Sequence, residues 1–311
     1  MRAARIHQFG MPDVLHIEEI DTPAPAEGQV CVQVKAAGVG PWDGWVRAGQ
    51  SVIEQPLPLT PGSDIAGVVS AVGRGVTAFA VGDEVFGVTN PAFTGGYAEY
   101  ALASASMLAH KPAELSFAEG AAAPVVTVTA LQMLFDHGKL SRGQRVLVHG
   151  AAGSVGACAV QFALEAGAHV IGTHTPRDAE YARTLGAHEL IDTTHERFEE
   201  RLEPVDLVID TVGGELQERS FAVLERGGAL ISAVAKPDQE RAAARGVRAE
   251  FILVDVTTAA LERVALSLRS GRLKLRVGAQ MPLAEARATH EMLEGTRARP
   301  AGKIVLLVGD L

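Results

Sequence analysis

The sequence of 311 residues predicts a mixed α/β fold that combines a doubly wound parallel sheet with a partly closed antiparallel β-barrel. Up to about residue 110, short β-type runs are separated by Gly, Pro and Asp, as is typical of small barrels. From residue 145 onwards strands alternate with helices, which is typical of a parallel sheet. A hydrophobic content of 47% with 21% charged residues is enough to build such a core.

In the first part of the chain, alternating or apolar runs bounded by turn residues predict strands. These strands are expected at 29–37, 65–72 and 84–88, with turns at 61–64, 73–75 and 81–85. Residues 118–135 indicate buried helical sequence, and Pro124 is a place where a helix is kinked or restarted.

The second part of the sequence, from residue 145 onwards, indicates a βα repeat. Strands are predicted at 145–150, 169–173, 189–192, 205–210 and 228–234. Helices are predicted within 151–167, 176–187 and 215–225, the second of them ending at Gly186. The tail predicts helices at 258–270 and 282–295 and a terminal strand at 303–308.

Composition also excludes several classes of protein. A net charge of −9 argues against a general nucleic-acid binder, which normally presents a basic face. Cys31 and Cys158 lie in apolar runs, which predicts two buried reduced thiols. The first ten residues lack the apolar region of a signal peptide, and no apolar stretch reaches the roughly 20 residues that span a bilayer. We therefore expect a cytoplasmic protein with no membrane partner.

A glycine-rich turn carries the strongest chemical signal. It follows the apolar run RVLVH and opens an apolar helix, and the further predicted strands of the βα repeat come after it. Small residues in such a turn let the backbone approach a pyrophosphate, and the helix N-terminus supplies N–H donors. The sequence therefore predicts dinucleotide contacts from Gly150, Ala152, Gly153, Ser154, Val155 and Gly156.

The end of the next strand distinguishes the two nicotinamide cofactors. In this type of fold an acidic residue there binds the ribose 2′-hydroxyl of NAD. Here the chain has Thr173 and His174, followed by Arg177, which can form charge-assisted hydrogen bonds with a 2′-phosphate. These three residues are predicted to contact the cofactor, and NADPH is favoured over NADH.

Eight segments occur in a characteristic order: GVGPWDGWVRAG (38–49), PGSDIAGVVSAVG (61–73), VGDEVFG (81–87), GGYAEY (95–100), VTALQML (128–134), VLVHGAAGSVG (146–156), DLVIDTVGG (206–214) and GKIVLLV (302–308). Together they resemble zinc-independent medium-chain dehydrogenases/reductases, and quinone oxidoreductases in particular. The resemblance implies a GroES-like catalytic domain from residues 1–120 and 260–311, with a Rossmann nucleotide-binding domain at 121–259. It also implies a homodimer or homotetramer.

The resemblance bears on metal binding as well. Zinc-using relatives hold the metal with a Cys and a His, and in this chain Gly40 stands at or next to the first position and Ser63 at the second. Neither is a good zinc ligand, and two cysteines cannot form a structural site of four. We expect no zinc.

Without a metal to stabilise an alkoxide, reduction of quinones or α,β-unsaturated carbonyls is the easier chemistry. Where quinone oxidoreductases carry Asn and Tyr, this chain has Gly40 and Trp45. We expect Trp45 to stack on a flat acceptor, Asp43 to act in the same loop, and Thr129 to bond near the nicotinamide. By resemblance, further cofactor contacts come from Val212, Ala233, Phe251, Leu253 and Lys303.

Three functions remain open at this stage. The first is an NADPH-dependent quinone reductase, and the second is a 2-alkenal or enone reductase, with enoyl thioesters as related substrates. The third belongs to another class, a dinucleotide-binding sensor or structural protein with little catalysis. The glycine turn fits all three, and the loss of polar groups at Gly40 and Trp45 slightly favours the third.

Overall fold

The computed structural model describes residues 1–309. Its strands are β1 Arg2–Arg5, β2 His16–Glu19, β3 Gln29–Val39, β4 Asp64–Val72, β5 Glu84–Val88, β6 Tyr100–Ser104, β7 Leu108–His110, β8 Arg145–Val148, β9 His169–His174, β10 Glu189–Asp192, β11 Val205–Asp210, β12 Leu224–Ser232, β13 Arg248–Phe251, β14 Val277–Pro282 and β15 Lys303–Leu307. Its α-helices are α1 Pro41–Arg47, α2 Phe117–Ala122, α3 Pro124–Leu131, α4 Ser154–Glu165, α5 Ala179–Thr184, α6 Gly214–Ser220, α7 Gln239–Arg245, α8 Thr258–Arg269 and α9 Ala286–Leu293.

Two compact units make up the chain. The first consists of Met1–Val125, Val256–Ser270 and the tail from Leu275 onwards, and the second of Val126–Asp255 with Gly271–Lys274. We call them the barrel unit and the nucleotide unit. Within the described residues, no helix is both long and apolar enough to cross a membrane.

A seven-stranded sheet forms the framework of the barrel unit. Its strand order is β14-β15-β3-β4-β5-β7, and β6 also pairs with β3. All pairs are antiparallel except β14 with β15. The long strand β3 shifts register twice against β4, and it pairs with β6 at its start and with β15 at its end. As predicted from the turn-rich sequence, this part is an antiparallel GroES-like unit, and its core is a continuous cluster of aliphatic side chains.

The nucleotide unit contains a six-stranded, fully parallel sheet with the order β10-β9-β8-β11-β12-β13. This is the predicted doubly wound Rossmann topology, in which the order reverses next to the first strand β8. The central strands β8 and β11 are apolar and almost wholly buried. Leu147, Ile171 and Val208 lie in its main core cluster.

Several elements differ from the prediction. The helix expected at 176–187 is a 3₁₀ turn at Pro176–Asp178 followed by the short α5, and α6 ends five residues before the expected boundary. Strand β12 begins four residues earlier than expected and includes two glycines. Helix α1 was not predicted, because Pro41 and Gly44 resemble turn residues, although proline suits the first position of a helix.

Candidate cofactor and substrate sites

The glycine turn connects β8 to α4 and presents backbone donors at the surface. Gly153 is the exposed residue before the helix, and the first N–H groups of a helix have no acceptor within it. Gly150 has a φ of 68°, a left-handed conformation that favours glycine. A side chain on Gly156 would collide with the carbonyl oxygen of Gly150, so this buried glycine allows the turn to close.

The exposed positions of this turn therefore fit a pyrophosphate. Ala152, Gly153, Ser154 and Val155 are partly or fully accessible, and the 12-residue helix α4 adds the positive end of its dipole. A Cβ placed on Gly153 would lie 3.1 Å from the Gly150 oxygen, which is tight but not impossible. The accessible amides, not the side chains, are the feature that could hold an anion.

Behind the turn lies a buried polar network. The Nδ1 and Nε2 atoms of His149 lie 3.1 Å and 2.8 Å from the hydroxyls of Thr173 and Ser220. The Gly150 N–H donates to the same Thr173 hydroxyl at 3.3 Å. Burial lowers the pKa of His149 to about 4, so the imidazole is neutral at physiological pH.

This network includes Thr173, one of the residues predicted to contact the cofactor. Thr173 is 1% exposed, its hydroxyl faces His149, and its carbonyl accepts the Ala151 N–H at 2.9 Å. Its polar groups are engaged inside the unit, and β9 continues one residue beyond Thr173, to His174. Thr173 therefore supports the turn from inside and does not present its side chain to a ribose. His174 and Arg177, by contrast, are accessible at this end of β9.

Two further loops at the carboxyl ends of β11 and β12 are tied together by Asp210. One carboxylate oxygen accepts the N–H groups of Val212 at 3.0 Å and Gly213 at 2.8 Å. The other accepts the Ser232 hydroxyl at 2.8 Å and the Gln217 amide at 2.8 Å. Asp210 and Ser232 are fully buried and position these loops. The predicted contact residues Val212 and Ala233 remain accessible on them.

The remaining predicted residues of the nucleotide unit are scattered. Thr129 is buried in α3, which continues as a π-helical segment at Gln132–His137. Phe251 ends the edge strand β13 and is partly accessible, while Leu253 is 61% exposed just beyond it. These placements leave their predicted roles as predictions.

In the barrel unit, Asp43 is fully buried and caps α1. Its Oδ2 atom accepts the Gly40 N–H at 2.8 Å and the Tyr97 hydroxyl at 3.0 Å, while Oδ1 has no hydrogen-bond partner within the described residues. Burial raises the pKa of Asp43 to about 7. The predicted catalytic role of Asp43 stays a prediction; in this structure the buried carboxyl group holds the start of α1 and the Tyr97 hydroxyl.

The contacts of Trp42, near the start of α1, are the feature of this region that the sequence did not reveal. Its indole N–H donates to the Ser63 hydroxyl at 3.1 Å. The Lys303 ammonium lies 4.2 Å from the centre of its ring, within the range of a cation–π interaction. The same ring occupies the space where a side chain on Gly40 would project.

Lys303 forms the ion pair of this region. Its ammonium donates to Asp64 Oδ2 at 3.0 Å, and both side chains are buried. The other Asp64 oxygen accepts the Val125 N–H at 3.0 Å. Burial raises the pKa of Asp64, and the nearby ammonium opposes that rise. The predicted cofactor residue Lys303 is thus engaged with Asp64 and Trp42.

A second buried cation fixes the other end of α1. Arg47 is 1% exposed and donates to the Gly10 carbonyl at 3.0 Å and to Glu294. Its Nη1 atom lies 3.2 Å from His290 Nδ1, and the His290 ring meets the Tyr97 ring edge-on at 5.8 Å. Burial, with Arg47 beside it, lowers the pKa of His290 to about 3. Trp45 in the same helix is 44% exposed.

The residues compared with zinc ligands can now be described directly. Gly40 offers no donor atom, and the Ser63 hydroxyl is fully buried and engaged by Trp42. Within residues 1–309, no group of three or more His, Cys, Asp or Glu side chains is arranged to hold a metal ion. Both cysteines are buried thiols, as expected.

Comparison with known proteins agrees with this geometry. Residues 26–113 match the alcohol dehydrogenase GroES-like domain, and residues 185–306 match the zinc-binding dehydrogenase family. The human quinone oxidoreductase is 33% identical over 99% of this chain and 98% of its own. The chain belongs to the quinone oxidoreductase family of medium-chain dehydrogenases/reductases.

Other relatives of this quinone oxidoreductase-like chain widen the range of activities. The quinone oxidoreductase of Coxiella burnetii has a TM-score of 0.93 at 32% identity, covering 99% of both chains. That of Escherichia coli, solved as a complex with NADPH, has a TM-score of 0.88 at 29% identity, covering 98% of this chain and all of its own. A 2-methylene-furan-3-one reductase of Solanum lycopersicum is 32% identical over 98% of this chain and 79% of its own.

Proposed function

We propose that this protein is an NADPH-dependent reductase that transfers hydride to quinones or other conjugated carbonyl compounds without a metal ion. The observation that carries the proposal is the accessible glycine turn at the start of α4, in a chain whose full-length relatives are quinone oxidoreductases. Its counterpart in the barrel unit is the start of α1, where Gly40 and Ser63 stand at the positions of a metal-binding pair and Trp42 donates to the Ser63 hydroxyl.

The nucleotide unit supplies the binding groups for the cofactor. We assign pyrophosphate binding to the amides of Ser154, Val155 and Gly156 at the start of α4, and contacts with the riboses to the loops held by Asp210. A bound NADPH would contribute the hydride. The residues of this chain bind and orient it and exclude water from it.

NADPH is proposed over NADH because no carboxylate follows β9 directly. His174 and Arg177 are accessible there, and Arg177 can bind a 2′-phosphate through charge-assisted hydrogen bonds. The NADPH complex of the Escherichia coli relative supports the same choice.

The metal-free part of the proposal follows from the acceptor. A quinone or an enone takes hydride at a conjugated position and spreads the resulting charge onto oxygen, so no isolated alkoxide forms. Tyr97, Asp43 and His290 are fully buried, so we assign delivery of the proton to solvent. We also propose a homodimer or homotetramer, which sedimentation at equilibrium would test.

Enone or alkenal reduction is the second candidate. The Solanum lycopersicum relative, named as a 2-methylene-furan-3-one reductase, favours it. Both candidates use the same hydride geometry and differ only in the acceptor. A dinucleotide sensor with little catalysis is the remaining alternative.

Oxidation of NADPH and NADH at 340 nm, with EDTA present, separates these functions. The acceptors are 1,4-benzoquinone, 9,10-phenanthrenequinone, trans-2-hexenal and 2-cyclohexenone. We expect turnover of the quinones with NADPH that survives chelation. Turnover of the enones alone would support the second candidate. Binding of NADPH with no turnover of any acceptor would contradict both and support the sensor.

A further inference from the structure

The pair Gly40–Trp42 is arranged as a unit. Gly40 has an extended backbone, with φ −132° and ψ 163°, which any residue can adopt. The backbone therefore does not require glycine here. The requirement comes from Trp42, since its six-membered ring carbons fill the volume next to the Gly40 Cα where a Cβ would stand.

The Trp42 ring is also held on two other sides. The Ser63 hydroxyl, itself fully buried, accepts the indole N–H, and the Lys303 ammonium lies over the ring. Lys303 is in turn fixed by Asp64. A side chain with three such contacts has little freedom to rotate, yet Trp42 remains partly accessible to solvent.

These contacts determine how the indole can recognise a ligand. Its only hydrogen-bond donor is used by Ser63, so no polar group of Trp42 remains for a carbonyl oxygen. What remains is a rigid aromatic surface. Such a surface discriminates by the size and flatness of the group that covers it, because stacking stabilises aromatic pairs beyond the area buried.

From this geometry we propose that Trp42, and not Trp45, is the specificity-determining residue of the acceptor site and selects flat fused-ring quinones over small acyclic enals. The inference depends on the proposed reductase function and narrows its substrate class. Trp45 is 44% exposed on α1, with no hydrogen bond from its indole N–H among the described contacts, so it lacks the fixed orientation of Trp42.

Equilibrium binding tests the inference without turnover. The affinity for 9,10-phenanthrenequinone is measured by calorimetry on the full chain saturated with NADP⁺, for the wild type and for Trp42→Val, Trp42→Phe and Trp45→Phe. Loss of stacking in Trp42→Val is expected to weaken binding about fivefold to tenfold. In Trp42→Phe, which keeps a ring, the affinity for the quinone should fall about threefold or less. In Trp45→Phe it should fall less than in Trp42→Val.

Steady-state kinetics supply the second arm. Trp42→Val should lower kcat/KM for 9,10-phenanthrenequinone by a similar factor, about fivefold to tenfold, while trans-2-hexenal changes less than about twofold. Equal losses for both acceptors, or a larger loss of quinone binding in Trp45→Phe, would overturn the inference. Quinone binding that depends on Trp42 in a protein without turnover would refute the proposed function and support this inference.

A double variant distinguishes a loss of quinone stacking from a loss of folding. Gly40→Asn alone should lower the Tm, because the new side chain meets the Trp42 ring, whereas Gly40→Asn with Trp42→Val should recover most of that loss. A recovered double variant that still binds 9,10-phenanthrenequinone weakly supports the selection by Trp42. Equal Tm values for Gly40→Asn and the wild type, or full quinone affinity in the double variant, would contradict it.

Discussion

The two units use different chemical groups to build their candidate binding sites. The nucleotide unit presents backbone amides on a glycine turn, and its buried polar side chains, His149, Thr173 and Ser220, are neutral supports behind that turn. The barrel unit differs in its buried cations, each of which is paired with a carboxylate: Lys303 with Asp64 and Arg47 with Glu294.

The difference shows where each unit is sensitive. Binding of a ligand by backbone amides requires a particular backbone conformation and a close approach of the ligand to the backbone. Adding a side chain at the turn therefore weakens it. Buried charges depend on their partners, so they fail when one partner is removed. Substitutions and pH can therefore separate the two units experimentally.

The largest effect is expected from Lys303→Met. The substitution leaves Asp64 buried without its cation, which destabilises proteins by about 3–5 kcal/mol. The free energy of unfolding in urea measures it. Asp64→Asn combined with Lys303→Met removes both charges and should recover more than half of the loss. A Lys303→Met variant as stable as the wild type would show that the ion pair contributes nothing to the barrel unit.

Asp43→Asn tests the second buried carboxyl group. Its pKa is raised from 3.8 to about 7 in the fold, so the folded state holds a proton that the unfolded state releases between these values. Stability supplied by the protonated form is lost as pH rises from about 4 to 7, up to about 4 kcal/mol. Relative to Asp43→Asn, the wild type should therefore lose stability between pH 5 and pH 8. The urea midpoints of the wild type and of Asp43→Asn measure this loss. The same difference between the two midpoints at pH 5 and at pH 8 would contradict the prediction.

His149→Gln should give the opposite slope in the nucleotide unit. The pKa of His149 falls from 6.5 to about 4 in the fold, so the unfolded state binds the proton more readily. The wild type should lose stability relative to the variant as pH falls from about 6.5 to 4, by about 3 kcal/mol at most. Urea unfolding at pH 7 and pH 4.5 measures the difference. If the free energy of unfolding, relative to the variant, changed with pH in the same direction as expected for Asp43, the distinction between the units would be refuted.

The glycine turn offers a matched pair of substitutions. Gly156→Val forces a side chain onto the Gly150 carbonyl and should cost about 2–3 kcal/mol of stability. Gly153→Val lies at the exposed edge of the turn and should keep the fold while weakening NADPH binding at least tenfold, about 1.4 kcal/mol. Thermal unfolding and fluorescence titration with NADPH separate these outcomes. Unchanged NADPH affinity in Gly153→Val would exclude the turn as the pyrophosphate site.

Arg177→Ala is expected to have the smallest effect. Arg177 is exposed, and its proposed role is a charge-assisted interaction with the 2′-phosphate of the cofactor. The Kd for NADPH should rise up to about tenfold, with little change for NADH. Lys236→Ala, another exposed cation of the nucleotide unit, is the control. Equal losses for both cofactors would show that the 2′-phosphate is bound elsewhere.

The sequence predicted most of what depends on neighbouring residues. The parallel order around β8 and the antiparallel GroES-like unit follow from local periodicity, and the fold class is confirmed. The glycine turn is also local, because its residues lie within seven positions of the chain. Helix α1 and the edge strands β13 and β14 escaped prediction, since Pro, Gly and charged residues interrupt their patterns.

The sequence could not predict the barrel unit's polar contacts, because they join distant positions. Lys303 and Asp64 are 239 residues apart, and Tyr97 and Asp43 are 54 residues apart. Nothing in the spacing of GGYAEY marks Tyr97 as the partner of an aspartate. Trp42 was overlooked beside Trp45, since only the structure shows which indole turns towards Gly40.

The place of β15 has a consequence for how the protein is made. This strand is near the end of the chain, yet it lies inside the sheet, between β14 and the early strand β3. During synthesis, residues 126–255 of the nucleotide unit are therefore made before β15, the neighbour of β3, is available. Asp64 and Trp42 receive their cation only when residue 303 has left the ribosome, so these contacts of the barrel unit cannot form earlier.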